Sequence, residues 1–194
     1  MRALLASAFA LISTAALAHP GHGDAAGLLH GFMHPMGGLD HVLAMVAVGV
    51  FAFVLGGRAL YLVPLSFVGM MAVGFLVGVG GIDLPFVELG IALSSVVIGG
   101  VAALGRPMPV AGAMALAGLF AVFHGHAHGA EMPIDASGLE YALGFMAATA
   151  LLHAAGIAAS AAIAALVGKY GRTVARLAGG VFALGGIGLL AGWL

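Results

Sequence analysis

The chain has 194 residues, of which 63% are hydrophobic and 7% charged, against roughly 25% charged in a soluble domain. Such a chain cannot cover itself with polar groups, so its solvent is lipid, and a formal net charge of −1 leaves no basic face for nucleic acid. Cysteine is absent, which excludes disulfides, cysteine-zinc sites and thiol chemistry.

Residues 1–18 read as a cleavable signal peptide. Arg2 supplies the positive start, residues 3–15 the apolar core and Ala16-Leu17-Ala18 the A-x-A cleavage pattern. The competing reading is a retained anchor, but the apolar run falls short of the roughly 20 residues a span requires. Cleavage leaves residues 19–194 as a single membrane domain, and His19-Pro20-Gly21-His22 as either a metal-capturing N-terminus or a flexible polar tail. Residues 24–38 are too few and too glycine-rich to span, and are expected to form an interfacial or re-entrant segment carrying His30, Met33 and His34. From Leu39 the pattern predicts six spans: 39–56, 58–80, 83–104, 109–125, 138–167 and 173–193. Turn signals such as Gly56-Gly57, Gly80-Gly81 and Arg106-Pro107-Met108-Pro109 separate them. The fourth is short; the fifth is long enough to tilt or to project beyond the lipid. The expected fold class is all-α, a polytopic bundle of six transmembrane helices behind a signal peptide. The abundance of glycine, 33 residues without a collagen-like period, fits close helix packing in a bilayer.

Charge sets the orientation. Arg58, Arg106, Lys169, Arg172 and Arg176 fall at the first, third and fifth connections, whereas the second and fourth carry Asp83, Glu131 and Asp135. Under the positive-inside rule the odd connections are cytoplasmic and both termini lie outside, as a cleaved signal peptide also requires. Residues 34–41, Asp83 with Glu88, and residues 124–131 then share the outer face.

Nine histidines against six lysines and arginines are the compositional anomaly. Residues 34–41 read H-P-M-G-G-L-D-H. His41 and Met45, at i and i+4, share a helix face with Asp40 beside them. Across an unbroken helix His34 and His41 stand about 10 Å apart, so sharing one ion requires the Pro-Gly-Gly stretch to turn back. The alternative is that Asp40 caps the helix and the histidines sit in the headgroup layer. The second cluster is F-H-G-H-A-H-G-A-E, residues 123–131. His124 and His128 are again i, i+4, with His126 between them and Glu131 three residues on. The spacing matches the two histidines of a zinc-protease H-E-x-x-H helix, but the glutamate base is missing. Nitrogen and carboxylate donors without thiolate suit Ni²⁺, Co²⁺, Cu²⁺ or Zn²⁺; the competing reading is a wet histidine-rich loop. His153 lies deep in the fifth span on a small-residue face with Thr149, Gly156 and Ser160, and reads either as a lining residue of a pathway or as a histidine bonded to a neighbouring helix. Glu88 reads as an ion carrier or as a snorkelling surface group, and the methionines as packing rather than copper ligands.

These motifs resemble the HupE/UreJ family. H-P-M-G-G-L-D-H fits its H-P-x-x-G-x-D-H signature, residues 123–131 look like its second histidine motif, and His153 like its histidine in the fifth span; the likeness runs the whole chain. The resemblance implies a secondary permease of the bacterial inner membrane that takes up Ni²⁺, or Co²⁺, for hydrogenase or urease maturation. It carries over His34, Asp40, His41, His124, His128 and Glu131 as metal ligands, with His126 and His153 as further candidates. The wider nickel/cobalt permeases share an H-x4-D-H motif; five residues separate His34 from Asp40 here, so nothing is carried over from that group.

The expected function is therefore transport without enzymatic turnover. The metal ion is cargo, no cofactor is permanently bound, and the lipid bilayer is the constant partner. Further copies of the chain, or urease and hydrogenase accessory proteins, are the other partners considered. No G-x-x-x-x-G-K-[ST] occurs, so the ion gradient, the membrane potential or a separate protein must drive the flux. The rivals are a metal sensor or chaperone that holds the ion without moving it, a metal-dependent intramembrane hydrolase, and a heme protein with axial histidines. A rhomboid-type serine protease fails for lack of a nucleophile turn.

Overall fold

A computed structural model describes residues 23–133 and 136–194. The expected signal peptide, the 19–22 terminus and Asp135 lie outside the described residues. Seven α-helices follow in order: α1 (Gly23–Gly37), α2 (Leu39–Leu55), α3 (Ala59–Val79), α4 (Val87–Leu104), α5 (Val110–Ala130), α6 (Gly138–Val167) and α7 (Gly171–Leu190), the last two joined by a 3-10 turn at Gly168–Tyr170. No strand occurs among the described residues.

By length and composition α3, α4, α5 and the 53-residue run Gly138–Leu190 qualify as membrane-crossing, and α1 with α2 qualifies as a fifth when the bent pair is taken together. The 53-residue run is not one rod. Gly168 takes a left-handed φ of 57°, and a Cβ at Gly171 would fall 2.5 Å from the Ala164 Cα. Seven residues along a straight helix lie about 10 Å apart, so the chain has doubled back and α7 returns beside α6.

The boundaries follow local chemistry. Gly56, at φ 72°, ends α2, and Pro109 stands at the N-cap of α5. Three expected boundaries need correction. The third span begins at Val87 rather than 83, because Pro85 biases Leu84 away from helical geometry and Phe86 is left-handed at φ 62°. The fourth does not stop at 125 but runs to Ala130, carrying all three of its histidines inside the helix. The sixth spans Gly171–Leu190 rather than 173–193. The segment before Leu39 is a full helix with Pro35 inside it, and it meets α2 at 85°.

Glycine seats the helices on one another. α3 and α5 form the most extensive interface and run parallel. Ser66 Oγ donates to the Met114 carbonyl at 2.9 Å toward one end, and a Cβ at Gly78 would strike the backbone of His126 and Gly129 at the other. A Cβ at Gly49 would come within 3.0 Å of Gly156 Cα, which joins α2 to α6; Gly31 and Gly144 lie backbone to backbone between α1 and α6, and Gly99 with Gly179 between α4 and α7. Only residues without a Cβ allow backbones this close. Arg176 fastens the α4–α7 pair by donating from Nε to the Ala103 carbonyl and from Nη2 to that of Leu104, each at 2.9 Å.

Met45, Phe51, Phe67, Met71 and Phe145 are fully buried, while Leu65, Leu76, Leu166 and Leu184 are exposed. Apolar inside and out, the bundle is built for lipid.

Candidate metal site

The elbow at Gly38 brings the two ends of the first motif together. α1 delivers His34, α2 delivers Asp40 and His41, and α5 delivers His124 and His128 one turn apart. The His128 ring lies 5.0 Å from His34 and 5.1 Å from His41, and His41 lies 4.9 Å from His124 at 87°, centroid to centroid. His128 stacks on Phe145 at 4.6 Å and 13°. Four imidazoles from three helices thus pack edge to face at one end of the bundle, and the wet-loop reading gives way: His124 and His128 are wholly buried.

Neighbours decide which nitrogen each ring leaves free. His41 Nδ1–H donates to Asp40 Oδ1 at 3.0 Å, and its buried Nε2 has no protein partner. The same Asp40 oxygen accepts the His41 amide at 2.8 Å. The helix cap itself is Gly38, so Asp40 serves the ring and one first-turn amide together. His124 Nε2–H donates to Ser94 Oγ at 2.9 Å, whose own proton goes to the Ile91 carbonyl at 2.5 Å. That chain fixes the tautomer and leaves Nδ1 of His124 bare. It also makes Ser94 an acceptor, so the pair is not a nucleophile–base dyad. His34 Nε2–H donates to Glu131 Oε2 at 3.1 Å. Neither nitrogen of His128 has a protein partner. An imidazole that donates one N–H to a carboxylate or hydroxyl and keeps the other nitrogen bare is the arrangement used by metal-binding histidines.

The mouth is a cavity of about 310 Å³ lined by His34, Gly37, Gly38, Asp40, His41, Glu88, Ala127 and Glu131. Its three carboxylates, with no lysine or arginine on the wall, give it the sign that attracts cations. His30 stands outermost, exposed, its ring 6.3 Å from His34. Among the described residues no three histidine, aspartate or glutamate side chains already converge as a metal ion would hold them. The rings rest on one another, and an ion must part them.

Two expected ligands stand apart. His126, two residues from His124 and hence on another face of α5, donates from Nε2–H to the Ile82 carbonyl at 2.8 Å; it ties α5 to the α3–α4 connection. His153 on α6 is buried with neither nitrogen partnered, so it is not bonded to a neighbouring helix. The Phe67 ring separates it from the cluster, 5.1 Å from His153 and 5.5 Å from His124. Sequence reasoning gave Ser94 no role beyond that of an ordinary helix residue and passed over Phe67. A lone serine or phenylalanine in an apolar helix carries no signal of the ring it will meet.

Residues 7–189 match the family described as HupE / UreJ protein. The chain is 44% identical over 177 residues to Protein HupE of Rhizobium leguminosarum bv. viciae, covering 90% of each chain. No solved structure matches it. Both histidine motifs lie within the matched region, and the chain belongs to the HupE/UreJ family.

Proposed function

We propose that this chain is a secondary permease carrying Ni²⁺, with Co²⁺ as alternative cargo, inward across the bacterial inner membrane for hydrogenase or urease maturation. In this reading α2 to α7 are the six spans and the histidine end faces the periplasm, as do both termini once the signal peptide is removed. The outer station consists of His34, His41, His124 and His128, with Asp40 and Glu131 fixing two of the rings; His153 is a station further in, and His126 holds the outer loop.

The observation that carries the reading is the meeting of α1, α2 and α5 in four touching imidazoles. Three of the four keep buried nitrogens without protein partners. Unpartnered buried nitrogens cost about 1–3 kcal/mol each, which a transition ion offsets by coordination. A divalent ion moving inward gains about 4.6 kcal/mol per 100 mV of membrane potential, so no nucleotide is needed. Imidazole must be neutral to coordinate, so protonation on the far side can release the cargo.

Uptake of ⁶³Ni by cells expressing the chain tests this, beside His41→Ala and His128→Ala at matched membrane abundance. Uptake by the unsubstituted chain and its loss in both variants is the expected result. Expressed protein that moves neither nickel, cobalt, copper nor zinc overturns the proposal and leaves the sensor and hydrolase readings.

A further inference from the structure

The imidazoles do not form a knot but a file. His34 and His41 both stand on the wall of the mouth; the buried His128 touches them at 5.0 and 5.1 Å, and the buried His124 lies behind His41 at 4.9 Å, so the contacts run His34, His128, His41, His124. The next ring is Phe67, 5.5 Å from His124, and beyond it His153, another 5.1 Å on at 84°. Five of these six rings carry nitrogen donors. The one that interrupts them carries none, and it is wholly buried.

Beyond Phe67 donors resume. His153 has two unpartnered nitrogens. Thr149, one turn earlier on α6, donates its hydroxyl to Met71 Sδ at 3.7 Å, and Met71 lies one turn after Phe67 on α3. Thr149, Met71 and His153 are all buried; α3 runs toward the histidine end and α6 away from it, so Met71 and Thr149 lie one turn nearer that end than Phe67 and His153, and the imidazole of His153 is the donor beyond the phenyl ring. A phenylalanine in place of His153 would fill that space without any unpartnered polar atom.

Resting on the permease reading, we infer that Phe67 is the partition between two metal stations, the outer imidazole cluster and an inner one at His153, and that the ion passes only when this ring swings aside. A phenyl face offers a cation a weak electrostatic attraction but no coordinate bond, so an ion held at His124 has no next ligand while the ring is in line. The segment bearing the ring is also weakened. Pro64, inside α3 and three residues before Phe67, cannot donate to the Leu60 carbonyl, and a helix bends most readily where its ladder is broken.

The test uses the full chain in proteoliposomes, with nickel affinity measured on the solubilised protein and ⁶³Ni flux followed in both directions. Phe67→Ala removes the ring: affinity at the outer cluster should stay within about twofold, while downhill efflux without a membrane potential should rise about tenfold. Phe67→Trp enlarges it: affinity should again hold while uptake drops about tenfold. Phe67→Leu, which keeps an apolar side chain without the ring, serves should the alanine variant fold poorly, and is expected to leak in the same direction. Variants that bind and move nickel as the unsubstituted chain does overturn the partition alone. So does a parallel loss of affinity, flux and thermal midpoint, which would make Phe67 a packing residue. No flux by the unsubstituted chain overturns the permease reading, and the partition with it.

Discussion

At the scale of single residues, the outer histidines differ in what holds them, and the holder decides which nitrogen is offered. Ser94 makes the sharpest prediction because its hydroxyl is taken up by a ring and a carbonyl. Its hydroxyl accepts from His124 Nε2 and passes its own proton to Ile91. Ser94→Ala frees the ring to rotate and strands a buried N–H, so nickel affinity should fall about tenfold, as losses of partners behind metal-binding histidines do. Titrating solubilised protein with nickel reads this directly. Unchanged affinity would remove Ser94 from the site. Much of the cluster was legible beforehand. The i, i+4 spacing announces His124 with His128, and adjacency announces Asp40 with His41. Less readable was the role of His126. Its ring turns away because α5 stays helical to Ala130, and a stretch of three histidines and two glycines looks like the end of a helix until a partner helix is known to cover it.

At the scale of elements, α5 holds its histidines in place because α3 lies against its glycines. A Cβ at Gly125 would be driven into the Met71 carbonyl, which is backbone and cannot yield as a side chain can. Gly125→Ala should therefore destabilise the protein by about 1–3 kcal/mol and reduce uptake at matched abundance. Gly112→Ala, on the same helix, meets only Met108 side-chain atoms at 3.6 Å and beyond and should be neutral or mildly stabilising. Thermal unfolding in detergent compares the two; equal midpoints would refute the close seat. Helix boundaries were readable from Gly-Gly and Pro signals to within a few residues, with the start of α4 and the end of α5 as the exceptions. Pro85 lies near the beginning of the segment, where a proline is also tolerated as a first-turn residue, so the pattern alone does not tell a loop from a helix start. For α1 the misleading feature was its glycine and proline content, which argues against a free helix but not against one packed on α6.

At the scale of the whole molecule, hydropathy and charge gave the class, the long apolar segments and the difference between a cationic end and a histidine-acid end. They did not give the pairing of helices. That depends on which glycines face each other, and 33 of them allow too many choices. The pairing that results has a kinematic consequence. Backbones in contact resist relative tilting, so α3 with α5 make one rigid body, and α1 and α2 with α6 another; contacts across the seam are sparser than those within the α3–α5 pair. His124, His128 and Phe67 ride on the first body, His34, His41 and His153 on the second. Since the chain contains no cysteine, spin labels at exposed Leu119→Cys on α5 and Leu151→Cys on α6 should report a distance that changes on adding nickel. A label pair at Leu119→Cys and Leu65→Cys on α3, within one body, should not change; equal responses would refute the division. Every contact that joins His34 or His41 to His128, His41 to His124, and Phe67 to His153 crosses that single seam. Rocking one body on the other would spread the lips at the histidine end while those at the cationic end close, so a hinge plane of this kind would coincide with the line of histidines.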